Sequence, residues 1–301
     1  MSAVSPAATR GRRPAVARRR RQRLVRRTGW NLVGIAVLVV MVFPVYWMVT
    51  TAFKQDDDIN SLTPTWFPVN GTLSHFRDAI SGSDHPFFWN SIENSLIVVG
   101  VTVGLSMVLA FLAAIALAKY RFSGRKLFVA FVIAIQMLPQ IGLVIPLFVV
   151  LRNYGLTGSY VLFGLILTYL TFVLPFAVWT LRGFLLGIPK ELEEAAMVDG
   201  SSRLGAFFRI LLPLVAPGLV ATSVFVFITA WNEFIFANVL LQDQSKQTVT
   251  VWLSYFSGSS RHTDWGALMA ASTVIAVPVM LFFLLVQRKM RFGLTAGAVK
   301  G

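Results

Sequence analysis

Cysteine is absent from this chain, and only 13% of its 301 residues are charged. The first absence excludes disulfide staples and thiolate metal sites. The second excludes an ordinary soluble domain of this length, which needs far more polar surface. Acidic residues are scarce, 13 against 27 basic ones, and histidine occurs three times. His75, His85 and His262 all lie in loops between apolar runs, too scattered to predict a metal site. No Gly-x-x-x-x-Gly-Lys-[Ser/Thr] phosphate loop is present, so this chain is not expected to hydrolyse ATP. No nucleophile–base constellation points to an enzyme working in the membrane.

What is present is apolar: 56% of the residues are hydrophobic. Six runs are long enough to cross a bilayer, which takes about 20 helical residues. They lie near Trp30–Thr51, Ser91–Ala118, Leu127–Leu151, Tyr160–Leu181, Ala216–Leu241 and Ala267–Val286. The pattern predicts an all-α integral membrane protein of six transmembrane helices. None of these runs contains a Lys or Arg. Of the 27 basic residues, all but Lys54, Arg77, Arg152, Lys246 and Arg261 fall in the two terminal tails and the Lys119–Lys126 and Arg182–Pro213 loops. The positive-inside rule then predicts that both termini are cytoplasmic.

Residues 1–29 are rich in arginine and free of acid, so they are expected to be a disordered cytoplasmic tail or to lie on anionic lipid. No aromatic residue interleaves with those arginines, which argues against a nucleic-acid arm. Residues 30–90 read as the first span and an outer loop, 91–286 as the core transmembrane domain, and 287–301 as a cytoplasmic tail. Pro44, Pro139, Pro146, Pro175 and Pro278 interrupt the spans. Lipid cannot satisfy the carbonyls that proline strands, so these positions suit a bundle interior.

The most specific signal is the loop 188–213. Pro189 and the acids that follow it predict a helix start. Glu194, Ala195, Ala196, Asp199 and Gly200 come next, and nine residues later Ile210-Leu211-Leu212-Pro213. Small alanines let another surface approach the backbone, and Gly200 supplies a residue free to take positive φ. Ser201 or Ser202 is expected to cap a second short helix that Pro213 ends. Amphipathicity alone would also suit a hairpin lying on lipid heads. The spacing of Glu-Ala-Ala, Gly and Ile-x-Leu-Pro favours a docking loop.

Those residues match the coupling loop of ATP-binding-cassette importer permeases, and the chain resembles that family from about Gly29 to Gly301. Ala230-Trp231-Asn232-Glu233-Phe234 and the ending Gly293–Gly301 look like its carbohydrate branch, which includes the smaller membrane subunit of the maltose transporter. The resemblance implies the type I importer fold, with a cytoplasmic two-helix coupling loop. It implies a pseudo-symmetric pair with a second permease, two ATPase subunits and an extracytoplasmic sugar-binding protein. ATP and Mg would sit on the ATPase subunits, with no cofactor on this chain. Glu194 would meet a basic residue of the ATPase, and Thr295, Ala296 and Gly297 would reach the ATPase interface.

Within the spans, Gln136, Trp231, Asn232, Glu233 and Phe234 are the candidates for a translocation path. Amides and acids in a span face the bundle interior, either as glue between helices or as cargo contacts, and both roles stay open for Gln136 and Asn232. A span set without basic residues argues against phosphate as cargo, while Glu233 leaves a cation such as a polyamine open. An ion-coupled secondary transporter would need broken helices with deep carboxylates and internal repeats, and would leave the 188–213 loop unexplained.

Overall fold

The computed structural model describes residues 13–82, 86–257 and 263–297, with side chains over 27–82, 86–256 and 263–287. In chain order the helices are α1 (Arg13–Ala52), α2 (Asp56–Ile59), α3 (Ser74–Ser81), α4 (Phe88–Lys119), α5 (Arg125–Ile135), α6 (Val144–Asn153) and α7 (Val161–Leu186). They continue as α8 (Glu191–Val198), α9 (Arg203–Ala206), α10 (Leu212–Trp231), α11 (Ile235–Leu240), α12 (Val249–Ser254) and α13 (Trp265–Gly297). No strand occurs among the described residues. That follows from the medium, because a helix satisfies its own backbone and an open strand in lipid does not.

Among the described residues, five helices are long and apolar enough to span a membrane. The third expected span, over Leu127–Leu151, is two helices, α5 and α6, which meet at 97°. Its break runs from Gln136 to Pro139, followed by a 3₁₀ turn at Gln140–Leu143. Proline pushes the residue before it out of the helical region, so the helix stops there and restarts in a new direction. At the N-terminus, the α1 backbone is already helical at Arg13, well ahead of Trp30. Arginine, alanine and leucine are all good helix formers, so the first span extends into the basic tail.

The core is α4, α7 and α10 packed side by side, with α13 against α10 and α1. On α4, Ala110, Ala114 and Ala118 recur every four residues and are buried against Val173, Ala177 and Leu181 of α7. Small residues at that spacing let helix backbones approach closely where lipid gives no hydrophobic drive. Leu211 and Val215 complete this cluster next to the 188–213 hairpin. A second cluster fills the opposite end and includes Trp231, Phe236, Val249 and Trp252. There the 245–252 segment is fastened to α4. Asn94 donates to Ser245 O and Gln247 O at 2.9 and 3.1 Å, and Ser95 Oγ accepts from Val249 N at 2.9 Å.

His75, on α3, joins this end of the bundle to α13. Its Nε2 donates to Lys54 O at 2.9 Å, and its ring lies so close over Gly266 that a Cβ there would sit 2.3 Å from it. Asp56 and Asp264 bring their carboxylates within 4.8 Å of the imidazole, a grouping that residue spacing along the chain does not reveal. His85 and His262 lie outside the described residues.

Candidate functional site

Two places carry the expected residues, one at each end of α10. The first is the hairpin α8–α9. Helix α8 ends in a complete left-handed cap: Gly200 has φ +89°, Ser201 N bonds Ala196 O at 2.9 Å, and Gly200 N bonds Met197 O at 3.1 Å. Both orphan carbonyls are thereby satisfied at the price of one positive φ, which glycine adopts without strain. Ser202 rather than Ser201 caps α9, its Oγ accepting from Gly205 N at 3.1 Å.

Pro213 does not end the second helix as expected. The chain passes from α9 through a π turn at Phe207–Leu211 straight into α10, where Pro213 occupies the first turn. Proline is tolerated in a first turn because its missing N–H has no partner to lose. The second helix of the hairpin and the fifth span are therefore one continuous rod over Arg203–Trp231, with α8 joined to it through the Gly200 turn.

Of the acids on α8, Glu193 pairs with Lys119 at the end of α4, while Glu194 is exposed. Ala195, Asp199 and Gly200 are exposed with it, and Ala196, Ile210 and Leu212 are half-buried. Val198 is 87% exposed, Leu204 72% and Phe208 60%. Leu211, unlike its neighbours Ile210 and Leu212, is buried and anchors the hairpin to the bundle. The hairpin thus keeps one acid for itself and presents an acidic and apolar face outward.

The second place is a cavity of about 360 Å³ at the far end of α10, where the helix stops at Trp231. Asn232, Glu233 and Phe234 line it, as expected, together with Gln140, Tyr169, Phe172 and Thr229. Glu233 Oε1 accepts from Phe236 N at 2.9 Å and Oε2 from Ala237 N at 3.1 Å. Each carboxylate oxygen thus accepts one N–H at the start of α11. Asn232 Nδ2 donates back to Ile228 O at 2.8 Å, and Thr250 Oγ1 donates to Glu233 O at 2.8 Å.

Two of the candidates do not line this cavity. Trp231 is buried in the core, stacked on Phe227 at 5.5 Å. Gln136 sits at the α5 end of the break, its Nε2 3.5 Å from Val132 O. It is Gln140, the residue after Pro139, that reaches the cavity, because the 97° bend re-aims the chain between Gln136 and Gln140. Tyr169 is a further lining residue outside the expected set; a phenol midway along an apolar run is the signal that could have marked it. The candidates Thr295, Ala296 and Gly297 continue the α13 backbone, but their side chains and residues 298–301 lie outside the described residues.

Residues 106–296 match the family model described as the inner membrane component of binding-protein-dependent transport systems. A diacetylchitobiose uptake system permease of Streptomyces coelicolor is 45% identical over 90% of this chain and 96% of its own length. A trehalose transport system permease of Mycobacterium tuberculosis is 35% identical over 92% and 98%. Among solved structures, a chain of a bacterial ABC transporter that imports the acidic polysaccharide alginate shares the fold. It superposes with a TM-score of 0.69 at 21% identity, over 94% of this chain and 99% of that one. The chain belongs to the family of binding-protein-dependent inner-membrane transport components.

Proposed function

We propose, with family membership as the premise, that this chain is a transmembrane subunit of an ATP-driven importer for a sugar or oligosaccharide. The single observation that carries the reading is the continuous rod from the exposed hairpin to the cavity. An ATPase that seats α8 pushes on a lever whose other end carries Asn232 and Glu233, so closure around ATP arrives at the cavity as a displacement. The Lys119–Glu193 pair ties the same hairpin to α4, so the push is shared with a second core helix. Two ATPase subunits would bind ATP and Mg, and this chain would hold no cofactor. A second permease and a sugar-binding protein complete the assembly, with the exposed apolar α1 and bent pair available to lipid and to that permease. The tail at Thr295–Gly297 would reach the ATPase interface.

Names of relatives support a sugar, and so does the cavity. It combines amides, hydroxyls and aromatic faces with one carboxylate whose two oxygens each accept a backbone N–H. That single carboxylate does not match the two or more positive charges of a polyamine. The reading is tested by Glu194→Lys, which sets a positive charge against a basic partner. The variant should insert at the normal level yet lose sugar uptake and binding-protein-stimulated ATPase activity in proteoliposomes. Normal uptake would remove α8 from the coupling path.

Orientation has its own test. Reporters fused after Lys126 or Gly200 should read as cytoplasmic, and fusions at Asp57 or Asn153 as external. An external reading at Gly200 would put the hairpin beyond reach of any cytoplasmic ATPase and sink the scheme.

A further inference from the structure

Away from both sites, a cavity of about 380 Å³ opens between the end of α1 and the start of α13, lined by Trp47, Thr51, Lys54, Asp58, Thr65 and Trp265 among others. Lys54 is only 2% exposed, and its ammonium lies 4.0 Å from the centre of the Trp47 ring. No carboxylate among the described residues forms an ion pair with it. Burial pushes the Lys54 pKa down, with the charge of Asp58 opposing. Thr51, 7% exposed, and Thr65 both leave their hydroxyls without a hydrogen-bond partner. Buried polar groups are ordinarily satisfied, so a buried cation and two unpartnered hydroxyls on residues lining one cavity describe a site short of acceptors.

The position says what could supply them. Thr51 lies in the last turn of α1 and Trp265 in the first of α13, where apolar spans give way to the outer loop. Trp66 and Trp265 are exposed at this level, as in the aromatic belts of a membrane interface. Along α1 from there, Val45, Met41 and Val40 are exposed and apolar, a surface for acyl chains that a sugar or a free anion would not use. One cation and one carboxylate make the lining neutral overall, which suits a zwitterion better than a net anion.

We propose that this cavity binds the headgroup of an aminophospholipid, its phosphate held by Lys54, Thr51 and Thr65 and its ammonium by Asp58 and the indole of Trp265. Phosphate oxygens meet the Lys54 ammonium and the two unpartnered hydroxyls, and the lipid ammonium brings donors to the Asp58 carboxylate and a cation to the ring face. The lipid then fastens the outer loop to the α1–α13 pair.

The test uses the full chain, purified with the subunits that accompany it, delipidated and titrated in native mass spectrometry. Phosphatidylethanolamine should be retained, and Lys54→Met and Thr51→Val should each weaken retention about tenfold. Thr51→Val keeps the shape of the side chain, so the test stands even if Lys54→Met does not fold. Equal retention by wild type and Thr51→Val would overturn the assignment. Tighter retention of phosphatidylglycerol than of phosphatidylethanolamine would overturn the zwitterion. Protection of the wild type against heating by inorganic phosphate alone would overturn the lipid as the source.

Discussion

Gly200→Val should cut sugar uptake by about an order of magnitude while leaving the amount of membrane-inserted chain unchanged. No neighbour lies within 4 Å of where a Cβ at Gly200 would stand, so crowding is not the reason. The reason is φ, at +89°. An L-residue held in the left-handed region costs about 1–2 kcal/mol, and a β-branched one more. That strain is relieved by opening the cap, which frees the carbonyls of Ala196 and Met197 and lets α8 swing away from α9. A cost near 1.4 kcal/mol is a tenfold change in the fraction of hairpins held in register. Asparagine tolerates positive φ better, so the order of uptake should be Gly, then Asn, then Ala, then Val. Asn and Val variants of equal activity would show that the turn's backbone is not what matters.

Gly164→Ala should destabilise the chain by about 1–3 kcal/mol, the range for overpacking a filled core, and Gly164→Val should prevent it from accumulating. A Cβ at Gly164 would stand 2.5 Å from Leu156 O, a backbone atom that cannot rotate aside. Leu156 is itself held by its bond from N to Leu151 O at 2.8 Å, in the turn that closes α6. The clash would therefore push α6 off α7 and disturb the bent pair that brings Gln140 to the cavity. Gly218 is the control. A Cβ there would meet the Phe184 ring at a similar 2.5 Å, but Phe184 is exposed and its ring can swing out into lipid. Gly218→Ala should stay close to wild type in a thermal-stability series. Equal losses at the two glycines would refute the distinction between a rigid and a movable neighbour.

Sequence alone determined what depends on near neighbours. The helical character of the apolar runs and the glycine turn between α8 and α9 rest on period and local backbone preference, and the folded chain keeps five runs as spanning helices and the turn. The 188–213 motif was legible for the same reason, since its residues act within a few positions of one another. Tertiary packing decided which residues far apart in the chain meet. Glu193, not Glu194, is taken by Lys119 because α8 folds back beneath the end of α4. Trp231, next to Asn232, is turned into the core instead of the cavity. Pro213 sits in the first turn of α10 after a π turn, so a residue that reads as a stop begins a span. Gln140 replaces Gln136 at the cavity because a 97° bend lies between them. In each case the deciding quantity is the direction a side chain takes once helices from distant segments have packed, and that direction is not a local property of the chain.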